Sequence, residues 1–229
     1  GVANMLAYAS GEDLDNLVAG EPYSVKRLVI DPGNAEAIPP VDPILESDEE
    51  LRRRAQLSPS RFSTAGPDEA YIFHALSADP QVLDASATSP EPVQAVVTIL
   101  SRIGNGEVSA TLLDAVRNYF AIQPVRPMTD EVIVQGAEIL EYEIVAELTL
   151  YDGPDQDVVI QTAQDRVESY RDQVHRLGMD VARSGIDGAA HCQGVKNVNL
   201  ISPASNVVVS KTQAAYCTGI TLIVVGRDE

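Results

Sequence analysis

The chain of 229 residues has no tryptophan, three phenylalanines, two cysteines and three histidines, and fewer than half as many basic as acidic residues, 16 against 34. Each shortage closes a class of function. Scarce Lys and Arg argue against binding a nucleic-acid backbone, whose phosphates must be neutralised by cations. The formal charge of −18 fits a solvated acidic surface or a protein that docks on a basic partner. Cys192 and Cys217 do not make a disulfide framework; free thiols in a reducing compartment are expected, with a pairing left open should the two lie close. No stretch approaches the ~20 consecutive apolar residues of a membrane span. The longest apolar runs, such as Ile220–Val225, are strand-sized, so no membrane association is expected. A basic and apolar leader is missing from the N-terminus, which leaves secretion without support. The opening Gly1-Val-Ala-Asn4 carries no initiator Met, and an expression fragment or a processed product is expected.

What is present is ordinary for a globular chain, with 45% hydrophobic and 22% charged residues, and its length suits one large domain or two modest ones. Residues 1–46 read as the remnant of a larger N-terminal domain plus a Pro-rich arm. Ser10 is placed to cap a short helix over Glu12–Val18, and Val25–Ile30 is strand-like. Pro32, Pro39, Pro40 and Pro43 then exclude helix interior and ladder donors, predicting an extended arm with too few apolar residues for its own core. Ile38, Pro39, Pro40, Val41 and Ile44 are the candidate partner-contact residues there, because apolar side chains on a segment without a core need cover; a disordered linker is the alternative.

Residues 47–136 read as a central module. Ser47-Asp48-Glu49-Glu50 is a capping-box pattern, predicting a helix through Leu57. Pro67 with Asp68 and Glu69 suits the start of a second helix, whose Tyr71, Ile72, Ala75 and Leu76 share one face. Strands are predicted over Val82–Thr88 and Val93–Leu100 around a Ser89-Pro90-Glu91-Pro92 turn. Ser109 should cap a helix carrying Leu112, Leu113, Val116, Tyr119 and Phe120, closed by Pro124 and Pro127, before a strand over Glu131–Gln135.

Residues 137–229 read as a C-terminal module. Tyr142, Ile144, Ala146, Leu148 and Leu150 alternate with Glu141, Glu143, Val145, Glu147 and Thr149, the pattern of a half-buried strand with a wet acidic face. Tyr151-Asp152-Gly153-Pro154 breaks it. Val159, Ala163, Val167, Tyr170, Val174 and Leu177 form the stripe of a long helix stopped by Gly178. Ser184 should cap a shorter helix to His191, and strands follow over Val195–Ile201, Asn206–Val209 and Tyr216–Val225. Val82 to Ser89-Pro90 and Val195 to Ser202-Pro203 have the same spacing, each after a helix and before a strand, so helix, strand, Ser-Pro turn, strand occurs twice, as a repeat or as independent hairpins. The fold class expected is therefore α+β: two small modules, each with helices packed on a mostly antiparallel sheet, sharing a helix-strand-strand unit, behind an incomplete N-terminal segment.

The search for chemistry returns little. His74 and His175 fall in predicted helices. His191 beside Cys192 invites a metal or thiol reading, but zinc favours paired spacings such as CxxC or HxxxH, and neither is present; Cys217 would have to join them in space. A nucleophilic Cys192 would need a convergent base and a positive environment. Glu141, Glu143 and Glu147 share a strand face, as a glycoside hydrolase's carboxylate pair could, yet aromatics make up only 5%, leaving little for a sugar cleft. A solvated face, or one meeting a basic partner, is expected. The Gly104-Asn105-Gly106 loop before a helix lacks the Lys and glycine spacing of a phosphate loop. No catalytic, cofactor-binding or metal residue is assigned, and no cofactor is expected.

Several segments resemble the baseplate J-like family of contractile-tailed phages. They are Leu6-Ala-Tyr-Ala-Ser-Gly-Glu-Asp-Leu-Asp-Asn-Leu17, Phe62-Ser-Thr-Ala-Gly-Pro67 with Phe73-His-Ala-Leu-Ser-Ala78, Val125-Arg-Pro-Met-Thr-Asp130, Leu148-Thr-Leu-Tyr-Asp-Gly-Pro154, His175-Arg-Leu-Gly-Met-Asp-Val181 with Arg183-Ser-Gly-Ile186, and Thr212-Gln-Ala-Ala-Tyr-Cys217. They span nearly the whole chain, with the Pro-rich residues 31–46 left unassigned between them. The resemblance implies a structural wedge protein of the tail baseplate, synthesised in the host bacterial cytoplasm, without catalysis, cofactor or metal. Its implied partners are other wedge and hub proteins, with no nucleic acid and no membrane, and the isolated chain would be a monomer or weak oligomer. Family members usually carry a further N-terminal, barrel-like segment. The same architecture would serve a bacteriocin-like tail or another contractile injection machine. A hydrolase using the acidic face or His191–Cys192, and a small binding module using the acidic surface, are the competing classes.

Overall fold

The structure, a computed structural model, describes residues 2–62, 67–122, 131–153 and 155–228. Among these the elements run α1 (Val2–Tyr8), α2 (Gly11–Ala19), β1 (Val29–Asp31), β2 (Ile44–Leu45), α3 (Asp48–Leu57), a 3-10 turn (Ser58–Ser60), α4 (Pro67–Ala78), β3 (Val82–Thr88), β4 (Gln94–Ser101), α5 (Ala110–Ile122), β5 (Glu131–Gly136), β6 (Glu138–Tyr151), α6 (Gln156–Val174), α7 (Arg183–Ala190), β7 (Val195–Ser202) and β8 (Gln213–Asp228). They form two compact units, Gly1–Gly104 with Val108–Gly136, and Asn105–Glu107 with Ala137–Glu229. The α+β class is the one the sequence predicts.

Helix starts follow local chemistry where a side chain can reach an orphan N–H. Ser47 Oγ accepts from the Glu50 N–H at 3.2 Å and the Glu50 carboxylate accepts from the Ser47 N–H at 3.2 Å, closing the capping box of α3. Ser109 Oγ caps α5 through the Leu112 N–H at 3.2 Å, and Asp155 caps α6 through the Asp157 N–H at 3.0 Å. Two predicted caps differ. Ser10 stands before α2 without a capping bond, and the Asp48 carboxylate takes the Gly11 N–H instead, at 3.0 Å. Ser184 lies inside α7, which starts after Ala182. There the Ala182 N–H donates to the Tyr170 hydroxyl at 3.1 Å and the Arg183 N–H to Asn206 Oδ1 at 2.9 Å, so distant side chains replace the local cap. Helix α6 ends at Val174, short of the predicted Leu177; Leu177 and Gly178 instead join the edge of β8, the Gly178 N–H donating to the Gln213 carbonyl at 3.0 Å. The predicted closing prolines of α5, Pro124 and Pro127, lie outside the described residues.

In the first unit, α4 lies between two cores. Tyr71, Ala75 and Leu76 pack with Val97, Ile99, Val116 and Phe120, while Phe73 packs with Leu14, Val18, Leu51 and Ala55. A single apolar stripe understates this helix, because both sides of it are covered. The sheet has the order β3-β4-β5, with β3 antiparallel and β5 parallel to β4. In the second unit the order is β7-β6-β8, with β7 antiparallel and β8 parallel to β6. Helices α6 and α7 cover one face, where Ile144, Ala146, Leu148, Val167 and Ile186 are fully buried.

Both sheets are therefore mixed rather than mostly antiparallel. In the first, α5 is the crossover that returns the chain parallel to β4, which a tight turn cannot do. The shared helix-strand-strand unit holds in order but not in pairing, since β3 and β4 bond to each other whereas β7 and β8 flank β6. Two predicted strands shrink. Val25 turns into the core, so only Val29–Asp31 pairs, and Asn206–Val209 is reduced to the single bridge of Val207 with Val181.

Candidate docking surface

The Pro-rich stretch forms a hairpin arm. Val29 pairs with Leu45 and Asp31 with Ile44, and farther out Asn34 and Val41 exchange both backbone hydrogen bonds at 2.8 Å. Gly33, with φ +66°, makes the turn possible: a Cβ there would come within 2.4 Å of the Val41 carbonyl oxygen. Asp31 Oδ1 accepts from the Gly33 N–H at 2.8 Å, and Asn34 Oδ1 from the Glu36 N–H at 3.0 Å. The five candidate contact residues all lie on this arm and all face solvent; Ile38 is fully exposed, and Val41 and Ile44 are more than half exposed.

The root of the arm is held by buried charge that the sequence reading missed. Glu46 and Arg54 are each 4% exposed, and Arg54 Nε and Nη2 donate to the two Glu46 carboxylate oxygens at 2.7 and 2.9 Å. This fork is the strong geometry for an arginine–carboxylate pair. Remaining valences are filled by the chain entering the arm and by α4: Glu46 accepts from the Leu28 N–H at 3.0 Å, and Arg54 donates to the Lys26 carbonyl at 2.6 Å and to Ser77 Oγ of α4 at 3.1 Å. Arg27 adds a second clamp, donating to Asp15, to Asp48 at 2.7 Å and to the Glu46 carbonyl at 2.6 Å. The hydrogen bond that Arg27 donates to Asp15, aided by Asp48, raises the Arg27 pKa above its ordinary value. The Gly11 N–H, with Arg27 next to it, lowers that of Asp48. One signal was available: Leu51, Arg54, Ala55 and Ser58 recur at helical spacing and all four are buried, so Arg54 sits in an inward stripe where a charge must have a partner.

The chemical candidates do not converge. His74 is buried between the Tyr119 hydroxyl and the Arg61 carbonyl, each at 3.1 Å, and burial holds its imidazole below the ordinary range. His175 faces the Ala215 carbonyl at 2.8 Å. Cys192 and Cys217 are free and buried, and burial pushes the Cys217 thiol up, away from thiolate character. His191 is exposed at the end of α7 while the neighbouring Cys192 turns inward toward the Val159 carbonyl. Glu141, Glu143 and Glu147 share the face of β6 opposite the helices, with Glu147 accepting from Asn199 Nδ2 at 3.0 Å. The Gly104-Asn105-Gly106 loop is a turn in which Asn105 Oδ1 accepts from the Glu107 N–H at 3.0 Å. Among the described residues no three His, Cys, Asp or Glu side chains are grouped to hold a metal, and no helix is long and apolar enough to cross a membrane.

Family models match along the chain: the baseplate J-like N-terminal domain at residues 1–34, the baseplate J-like central domain at 63–136, and the baseplate J-like protein C-terminal domain at 142–223. The chain belongs to the baseplate J-like family. It is similar to Baseplate protein J of Escherichia phage P2, with 42% identity over 227 residues covering 99% of this chain and 74% of the relative. Residues 35–62, between the matched N-terminal and central domains, contain most of the arm and the whole of α3, and the alignment with the phage relative runs through them. Of the segments that carry the resemblance, Val125–Asp130, part of Phe62–Pro67 and Pro154 of Leu148–Pro154 lie outside the described residues.

Proposed function

We infer that the chain is a structural wedge component of a contractile phage or prophage tail baseplate, working through contacts with other wedge and hub proteins and not through catalysis. The family membership and the phage relative support a structural role in a phage tail baseplate. The single observation that carries the docking reading is the arm: apolar Ile38, Val41 and Ile44 stand in solvent on a hairpin whose root is fixed by a buried, forked ion pair. A preorganised apolar projection loses little freedom when a partner covers it, so more of the contact energy survives as affinity. Residues 1–46, 47–136 and 137–229 would serve as three parts of one assembly subunit, the first supplying the arm. Its place would be the tail baseplate of the virion, after synthesis in the bacterial host's cytoplasm. Co-expression with the neighbouring tail genes, followed by affinity capture and imaging, tests the reading. The chain is expected to be retained in an assembled wedge. Wedges that assemble without it, or turnover of a cell-wall glycan by the isolated chain, would overturn the reading.

A further inference from the structure

The sheet of the second unit has one face under α6 and α7 and one face that no other described element of that unit covers. Register places Glu141, Glu143, Val145, Glu147 and Thr149 of β6 on the bare face, with Thr221 and Ile223 of β8 opposite Val145 and Glu147, and Asn197 and Asn199 of β7 opposite Thr149 and Glu147. Two irregularities add to it. Ile201 is the extra residue where Val145 and Ala146 pair with Ser202 and Leu200, and Val225 is the extra residue where Leu148 and Thr149 pair with Val224 and Gly226. Ile201, Ile223 and Val225 are 48%, 43% and 55% exposed. Apolar side chains thus lie on three adjacent strands, across roughly 10 Å of sheet, with carboxylates of the central strand between them. Strand propensity alone explains one exposed β-branched residue; it does not explain why all three strands contribute to one patch.

We propose that this bare face of the β7-β6-β8 sheet is a second docking surface, and that its occupant is a basic protein surface: an apolar patch of another baseplate protein flanked by Lys or Arg. The proposal rests on the assembly role inferred above and adds the partner's chemistry. Charge complementarity selects the occupant. A second copy laid face to face would set Glu141 and Glu143 against the same carboxylates on a chain of charge −18, whereas a basic partner pairs them while its apolar centre covers Ile201, Ile223 and Val225. Complementary charge of this kind speeds encounter and rejects wrong partners, and its contribution falls as salt screens it.

The test titrates the full chain with each of the other baseplate proteins of the same tail, purified singly, over a salt series. Two variants accompany it, E141K/E143K and I201T/I223T, the second keeping β-branched side chains; unchanged melting curves check their folds. Expected is one basic protein that binds the unaltered chain, weakens as salt rises and loses about tenfold or more in affinity with either variant. A partner bound equally well by both variants overturns the proposal while leaving the assembly role intact. Self-association abolished by I201T/I223T, with partner binding unchanged, overturns it in favour of a second copy as occupant. If none of the proteins binds the unaltered chain, the assembly reading itself fails, and the proposal with it.

Discussion

The two units handle polar side chains in opposite ways. Among the described residues, the buried polar and charged side chains (Glu46, Arg54, Ser58, His74, Asp84, Thr98 and Ser101) all belong to the first unit. There β4 is covered on both faces, Val97 and Ile99 on one and Thr98 and Leu100 on the other. The polar members of its second face are paired: Asp84 with Arg53 at 2.6 Å, and Thr98 with Gln135 Nε2 at 3.0 Å. In the second unit β6 alternates, and Glu141, Glu143 and Glu147 stay on the bare face. The pairing pattern is the same, one antiparallel and one parallel neighbour, yet one sheet is an interior layer and the other presents a surface. Burial of satisfied polar groups makes a rigid support for the arm. A one-sided sheet leaves a face for something else to cover.

This contrast can be broken by mutation. The largest effect is expected from Glu46→Ala, which strands the Arg54 guanidinium in the first unit's interior; a loss of about 3–5 kcal/mol in denaturant unfolding is expected, with faster amide exchange in residues 28–46. An unchanged midpoint would mean the pair does not hold the arm's root. Next, Leu100→Ala on the covered second face of β4 should cost about 2–5 kcal/mol by leaving a cavity. Val145→Ala on the bare face of β6 should cost under about 1 kcal/mol, because solvent already reaches it. Equal losses would erase the distinction between the two sheets.

A smaller effect separates the units by pH. The folded-state pKa of His74 lies below its ordinary value of 6.5 because burial disfavours the imidazolium. Between those two values the unfolded chain binds a proton that the folded chain does not. The contribution of His74 to stability is therefore constant above pH 6.5 and falls as pH drops through that window, and His74→Gln should flatten this part of the profile. A slope that survives the substitution would assign it to other groups. Smallest of all is Tyr142→Phe in the second unit. The Tyr142 hydroxyl is buried without a hydrogen-bond partner among the described residues, so its removal should be neutral or stabilising by up to about 1 kcal/mol; a clear loss in thermal melts would reveal a partner for it.

The same contrast explains what was legible in the sequence. Periodicity and local caps placed α3, α4, β3 and β4 nearly to the residue and found β6 and α6 with their ends three or four residues off, because Ser47 with Glu50, and the strict alternation from Tyr142 to Leu150, act within one element. Pairing across elements was not legible. Nothing local says that β8 crosses β6 to run parallel with it, or that Tyr170 and Asn206 cap α7 from a distance. The arm was visible as prolines and uncovered apolar residues. Its root was not, because Glu46 and Arg54 find each other only once α3 has formed, although a charge in the Leu51-Arg54-Ala55 stripe was the clue. The likeness to the family lay in motifs spread along the chain, while the alignment with the phage relative runs through the arm as well.

On the inferred role, the chain works by offering uncovered apolar surface on rigid support. Complementation of a tail-defective phage with an I38D/V41D/I44D variant tests it most directly, scored by plaque formation and by electron microscopy of tails. The expected result is a variant that folds with an unchanged melting curve yet yields no complete baseplates. Intact baseplates and normal plaques from that variant would contradict the claim.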